Sequence, residues 1–238
     1  MESVVLKLPG TEDFFTQEAY NVLRTNLQFC GRDIRVIAIT SCQEKEGKTT
    51  VSLHLARSLA ELGKRVLVID ADMRKSVLAD RNTTAKRAAG LREALTGMRE
   101  LSECIYATQY PTLHLMFAGK YPRNPVELLD GSDFRDLIAE MRTDYDYVIV
   151  DTPSLGSVID AAVIAPNCDG MLLVIGNGNV RRREAQGVVA QLARSGGRIL
   201  GVVRNNTKKR SGSYYYKNEQ YDPEQTEAGR PQRTRVHA

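Results

Sequence analysis

The sequence predicts an α/β domain in three layers, with a mostly parallel central sheet covered by helices on both faces. Three observations carry this. Short runs rich in Val, Ile and Leu at residues 35–40, 65–70, 113–117, 147–151, 171–175 and 199–203 have strand length. They are apolar without alternation, the pattern of strands buried on both sides. Segments with apolar residues at helical spacing separate most of them, and strand–helix alternation builds parallel sheets. Length agrees: 238 residues suffice for one such domain and a short tail, and a domain near this size buries about 70–75% of the surface its unfolded chain exposes.

Taken in order, residues 1–15 are mixed in character and read as an extended or loop-like arm. From Gln17 to Phe29, Tyr20, Leu23 and Leu27 recur at helical spacing, with Val22 and Phe29 a second apolar strip. The strand at 35–40 leads through a turn-like loop into a helix over 48–62, which Gly63 is placed to stop. After the strand at 65–70, residues 74–111 are irregular and polar, with a short helix near 91–95. The third strand is 113–117. Pro125 opens a helix running to about Arg142, since proline is tolerated in a first helical turn. Helices near 158–168 and 181–194 separate the last three strands. From about Thr207 the chain turns to Lys, Arg, Ser, Gly, Glu, Gln and Pro with no apolar period, the composition of a disordered tail.

The net charge of +4 is small and spread along the chain, which argues against nucleic acid as a partner. Four cysteines lie far apart with no C-x-x-C pair, as in reduced cytosolic proteins. The start, MESVVLKLPGTEDFF, lacks the basic end and apolar run of a signal peptide. No apolar run approaches the roughly 18 residues that span a bilayer. A cytoplasmic location is expected.

The sharpest local signal is Cys42-Gln43-Glu44-Lys45-Glu46-Gly47-Lys48-Thr49. It fits the phosphate-loop (Walker A) pattern G-x-x-x-x-G-K-[ST], with Cys42 in place of the first glycine. It follows a core strand and opens a helix, so backbone N–H groups from Glu46 to Thr50 converge on phosphate oxygens at the helix N-terminus. Gly47 lets the backbone approach closely, Lys48 reaches the β- and γ-phosphates, and Thr49 ligates Mg²⁺.

Two more motifs weigh against a chance G-K-[ST]. Residues 66–70 form a hydrophobic strand ending in Asp70, with Asp72 and Arg74 just beyond, a D-A-D-x-R strand end. Residues 147–151 end in Asp151, a Walker B pattern. In a parallel sheet ligands sit at the carboxyl ends of the strands, so all three acids are expected at the phosphate loop. Mg²⁺ keeps waters and takes one or two carboxylates plus phosphate oxygens. Singly, each acid reads as readily as a solvated strand-end cap; jointly they indicate a site for ATP and Mg²⁺.

Together these motifs resemble the bacterial tyrosine kinases of capsule and exopolysaccharide synthesis, a P-loop NTPase fold. The resemblance includes Glu18-Ala-Tyr-Asn-Val-Leu-Arg24 before the first strand, Asn124-Pro125-Val-Glu-Leu-Leu129 opening a helix, and the tail Tyr214-Tyr215-Tyr216 with Tyr221. It implies an N-terminal arm and oligomerisation helix at 1–33, a P-loop kinase domain at 34–206 and a tyrosine-rich tail at 207–238. It implies Lys48 and Mg²⁺ neutralising the γ-phosphate, Asp72 and Asp151 holding the metal directly or through water, and Asp70 as the candidate base. Sequence alone does not rank Asp70 against Asp72. Asn205 resembles the position that meets adenine in related ATPases. Tyr214, Tyr215, Tyr216 and Tyr221 are the implied phosphoacceptors. About ten residues separate the last strand from Tyr214, a reach of up to roughly 33 Å, enough for its own site or a neighbour's.

The resemblance also implies a ring of subunits, a transmembrane activator of the polysaccharide co-polymerase type, recruitment to the inner face of the plasma membrane, and exogenous protein substrates of sugar metabolism. One departure bears on the ring. The family's oligomerisation helix reads E-x-x-R-x-x-R, and here it is Glu18, Asn21, Arg24. Two rival readings stand. A partition-type ATPase switch carries K-G-G-x-G-K, where this chain has Gln43, Glu44 and Lys45. A regulator would bind nucleotide without transfer. Basic runs at 181–183 and 208–210 read as solvated faces or as contacts for lipid, a partner or phosphotyrosine.

Overall fold

The computed structural model describes residues 2–8, 13–76, 78, 88–176, 178 and 180–206; the tail at 207–238 lies outside them. Among the described residues the strands are β1 (Val36–Ser41), β2 (Val66–Asp70), β3 (Ile105–Ala107), β4 (Leu113–Met116), β5 (Tyr147–Asp151), β6 (Gly170–Gly176) and β7 (Ile199–Asn205). They form one sheet in the order β3-β4-β2-β5-β1-β6-β7, parallel except for β3 against β4. The helices are α1 (Phe14–Phe29), α2 (Lys48–Ala60), α3 (Leu91–Leu95), α4 (Leu101–Cys104), α5 (Pro125–Asp130), α6 (Ser132–Asp144), α7 (Asp160–Ile164) and α8 (Arg182–Arg194).

The uninterrupted apolar strands are explained by two cores, one on each face. Along β1, Val36 and Ala38 join one apolar cluster, while Ile37 and Ile39 join the other. In β2, Leu67 and Ile69 divide from Val66 and Val68 in the same way, as the two-residue period of a strand requires. Helices α3 and α5 to α8 supply side chains such as Leu91, Phe134 and Leu192 to the first cluster, and α1 and α2 supply Leu27, Leu55 and Leu59 to the second. Three layers result, as expected. Because the central strands run one way, the carboxyl ends of β1, β2 and β5 open on one edge beside the start of α2.

Several local features add to the expectation or differ from it. The single helix expected from Pro125 to Arg142 is broken at Gly131, whose backbone is extended (φ −69°, ψ 161°) between α5 and α6; glycine is a poor interior residue for a helix. The segment 74–111 holds α4 and the short antiparallel strand β3 as well as α3. The N-terminal arm is docked rather than loose. Val4 N donates to Ala107 O (2.8 Å), and the Gln109 amide pairs with both the N–H and the carbonyl of Leu6 at 2.7 and 2.8 Å. That contact covers an otherwise open sheet edge. Helix α1 begins at Phe14, three residues before the expected start, because the Asp13 side chain caps the Thr16 N–H at 2.8 Å. Among the described residues, no helix is long and apolar enough to cross a membrane.

Candidate active site

The loop from Ser41 to Lys48 is held from below. Glu46 is buried, and its carboxylate accepts the N–H of Gln43 and of Gly176, both at 2.7 Å. The Glu46 side chain thus braces the loop on β6, a role separate from the backbone N–H expected to face phosphate. Its carbonyl accepts Asn205 Nδ2 at 2.9 Å, which binds the loop to the end of β7. Gly47 is favoured by its left-handed backbone, and a side chain there would also displace the Asn205 amide. Its φ is 91°, and a Cβ there would stand 2.0 Å from Asn205 Nδ2. Gln43, in the place of the rival pattern's lysine, donates to both Glu184 oxygens at 2.8 and 3.0 Å.

Helix α2 starts directly from this loop. The N–H groups of a first helical turn have no carbonyl partner within the helix. Here Gly47, Lys48, Thr49 and Thr50 line a cleft of about 540 Å³ together with Asp70, Asp72, Asp151 and Asn205. That is the grouping the sequence predicted, Glu46 apart.

The acids occupy the far wall. Asp70 and Asp151 are register partners at the ends of β2 and β5, and both are buried. Thr49 Oγ1 and Ser52 Oγ donate to the two oxygens of Asp151 at 2.6 and 3.0 Å. Burial still pushes the Asp151 carboxyl up to about 6, against the pull of Thr49, Lys48 and Ser52. Asp70 is raised well above its ordinary value, first by burial and then by the charge of Asp151; the Ser76 hydroxyl, which donates to its Oδ2, offsets part of this. Asp72 accepts the Lys75 N–H (2.9 Å) and Arg74 N–H (3.3 Å) on its Oδ1. The three acids therefore do not close around one point: among the described residues, no three Asp, Glu, His or Cys side chains form a metal cage. Thr49 and Asp151 do present adjoining oxygens, a donor pair suited to a hard cation that keeps other ligands.

Two groups escaped sequence reasoning. Asp160, on α7, is fully buried and holds Arg74 through a two-point pair, Nε–Oδ2 2.6 Å and Nη2–Oδ1 3.0 Å. Ser76 touches Asp70 from below, and its carbonyl accepts the Tyr121 hydroxyl at 3.0 Å. A buried serine or aspartate looks like any other in sequence, so neither had a signal beyond lying near the D-A-D-x-R strand end.

The remaining predicted positions lie elsewhere. Glu18 is exposed on α1 and accepts Asn21 Nδ2 at 3.3 Å. Arg24 turns inward: its Nη1 donates to Ser58 O and Oγ, both at 2.9 Å, while Tyr20 stacks on His54 with centroids 4.7 Å apart. Tyr214, Tyr215, Tyr216 and Tyr221 fall outside the described residues.

A lysine-bearing turn between a parallel strand and a helix N-terminus, opposite buried strand-end acids, defines a P-loop nucleotide-binding protein. A family model described as an AAA domain matches residues 34–195. The chain is similar to tyrosine-protein kinase CpsD of Streptococcus agalactiae, 39% identical over 199 residues that cover 84% of this chain and 87% of the relative. The kinase domain of the Escherichia coli tyrosine kinase ETK superposes with a TM-score of 0.77 at 34% identity, covering 84% of this chain and 79% of that one. The chain belongs to the bacterial tyrosine-protein kinase family. The septum site-determining protein MinD of Pyrococcus horikoshii, 24% identical with a TM-score of 0.61 over 75% of this chain and 72% of its own, shares the fold alone.

Proposed function

We propose that this chain transfers the γ-phosphoryl group of ATP to tyrosine hydroxyls of its own tail, with Tyr214, Tyr215, Tyr216 and Tyr221 as acceptors. It thereby regulates capsular or exopolysaccharide synthesis. The observation that carries this is the buried Asp70–Asp151 pair in the same cleft as Lys48. Two like charges in a dry site cost stability and are kept where chemistry needs them.

In the transfer, the tyrosine oxygen forms a bond to the γ-phosphorus, the bond to the β–γ bridging oxygen breaks, and ADP leaves with that electron pair. The phenol proton passes to a carboxylate. Asp70 suits this role better than Asp72, because its burial makes the ionised form a stronger base. Gly47 to Thr50 present N–H groups to the phosphates, Lys48 neutralises their charge, and Asn205 fixes the loop beside the base pocket. The Thr49–Asp151 pair fits Mg²⁺, with Asp72 reached directly or through water; the ion supplies charge neutralisation on the phosphate oxygens when bound.

The chain works in the cytoplasm at the inner membrane face, with a transmembrane activator of the polysaccharide co-polymerase type. Residues 1–33, 34–206 and 207–238 act as oligomerisation segment, kinase domain and acceptor tail, and exogenous substrates are proteins of sugar metabolism. Glu18 and Arg24 serve a ring contact, although Arg24 must share its guanidinium with Ser58. The rival ATPase switch is not favoured, since Gln43, bound to Glu184, holds the place of that switch's lysine.

Incubation of the purified chain with ATP, Mg²⁺ and a fused activator segment, followed by phosphotyrosine blotting and peptide mapping, tests the proposal. Label on the tail tyrosines is expected. Phosphate release without label supports the switch, and the absence of both label and phosphate release supports a regulator.

A further inference from the structure

Arg74 has an environment that a simple surface staple does not explain. Its partner Asp160 is fully buried, 86 residues away in sequence, and both carboxylate oxygens are taken by the Nε and Nη2 edge of the guanidinium. A buried carboxylate without such a partner is costly. A planar fork held at two points has a fixed orientation, which a lysine could not supply. Yet Arg74 itself is not buried. Its side chain is 38% exposed and lines the same cleft as Lys48, Thr49 and Asp72. Among the described residues its Nη1 has no protein partner. The main chain is aimed as well, since the Arg74 N–H donates to Asp72 Oδ1 at 3.3 Å. A rigid cation with unspent donors, beside the phosphate-binding lysine, suits an anion whose charge is spread over several oxygens.

We propose that Arg74 is a phosphoryl-binding residue of the transfer step and that Asp160 is its positioning residue. The unspent N–H groups of Arg74 meet the oxygens of the phosphoryl group between ADP and the acceptor hydroxyl. This rests on the kinase reading, and the test separates the two.

The test measures binding of ADP alone and of ADP with aluminium fluoride and Mg²⁺, a mimic of the phosphoryl group in flight, by fluorescence of a labelled ADP. Tail phosphorylation is measured in parallel. Arg74→Ala and Arg74→Lys are expected to bind ADP within about threefold of the parent, to bind the fluoride complex at least tenfold more weakly, and to turn over about 100-fold more slowly. Added guanidinium is expected to restore part of the Arg74→Ala turnover. Asp160→Asn is expected to lower turnover about tenfold in the parent and to have no further effect in the Arg74→Ala background. Unchanged affinity of both Arg74 variants for the fluoride complex would overturn the proposal, as would an Asp160→Asn effect that adds in full to Arg74→Ala. Arg74→Lys keeps the charge and stem, so it serves where the alanine variant does not fold. If the parent labels no tyrosine but its fluoride complex depends on Arg74, the kinase reading fails while Arg74 remains a phosphoryl-binding residue, with water in place of the tyrosine.

Discussion

The two rims of the central sheet carry the same residue type to opposite ends. At the amino rim, Asp169 accepts the Arg35 and Val36 N–H groups on one oxygen, both at 2.8 Å, and the Arg142 guanidinium on the other. Burial alone would raise this carboxyl, but Arg142 and the two amides outweigh it and hold it below the usual range. Asp146 likewise accepts the Arg65 N–H at 2.8 Å. At the carboxyl rim, Asp70 and Asp151 stand side by side with hydroxyl and amide donors but, among the described residues, no cationic side chain bonded to them, and both are raised. One rim spends its acids on holding strands in place; the other stores unfavourable charge for a ligand to relieve. The partners, not the residue type, decide between structure and function.

The largest effect that sharpens this contrast is at the phosphate loop. Lys48→Met should leave folding intact and reduce tail phosphorylation by about 10³-fold or more, since it removes the cation facing the phosphates; a radiolabelled transfer assay on activator-supplied protein checks this. Asp151→Asn should lower turnover by about 10²-fold yet stabilise the nucleotide-free, metal-free protein near neutral pH. The sign follows from the shift. A carboxyl raised to about 6 in the folded state contributes stability that is present below about pH 4 and is lost as pH rises through 6. With the carboxyl raised from 3.8 to about 6, the variant should gain about 3 kcal/mol at pH 7, and its stability curve between pH 4 and 6 should be flatter than the parent's. Denaturant melts across that range would break the comparison if the variant were less stable at neutral pH.

The amino rim should respond in the opposite sense. Asp169→Ala removes the acceptor for two strand N–H groups and leaves Arg142 without its partner, so a stability loss of about 2–3 kcal/mol is expected. Turnover per folded molecule should not change. Because the folded carboxyl is lowered, the stability it contributes is present above the ordinary carboxylate range and is lost as pH falls through its folded value. The parent's acid-side loss of stability should therefore shrink in the variant.

What could be read from the sequence follows the same division. Strands buried on both faces announce themselves by unbroken runs such as residues 147–151, and a strand end carrying an acid marks the carboxyl rim. The phosphate loop, Thr49, Asp70, Asp72 and Asp151 were legible because local order places them. The rest depends on long-range partners. Asp160 lies in a stretch that reads only as helix, and nothing near it reveals Arg74. The bracing role of the Glu46 carboxylate has no local signal either, since its partner, the Gly176 N–H, is 130 residues away. Strand β3 is three residues long, too short for a period to appear, and the arm's attachment depends on distant partners, the backbone of Ala107 and the amide of Gln109. Gly131 gave no warning, since a lone glycine is tolerated in many helices.

The smallest effect tests how closely the carboxyl rim is adjusted. Ser76 Oγ donates to Asp70 Oδ2 and itself accepts the Leu78 N–H at 3.2 Å. Among the donors to Asp70, its hydroxyl is the chief influence lowering a carboxyl that burial and Asp151 raise. Ser76→Ala removes stabilisation of the ionised form, so the proton is held more tightly and the acidic limb of the pH–rate profile should move to higher pH. Near neutral pH turnover should fall roughly fivefold, as expected for one lost hydrogen bond of about 1 kcal/mol, with ATP affinity unchanged. Ser76→Thr, which keeps the hydroxyl, should return the limb toward its original position. A profile displaced to lower pH by the alanine variant would mean that this hydroxyl holds Asp70 in its neutral form, and that the rim's charge is managed in the opposite direction.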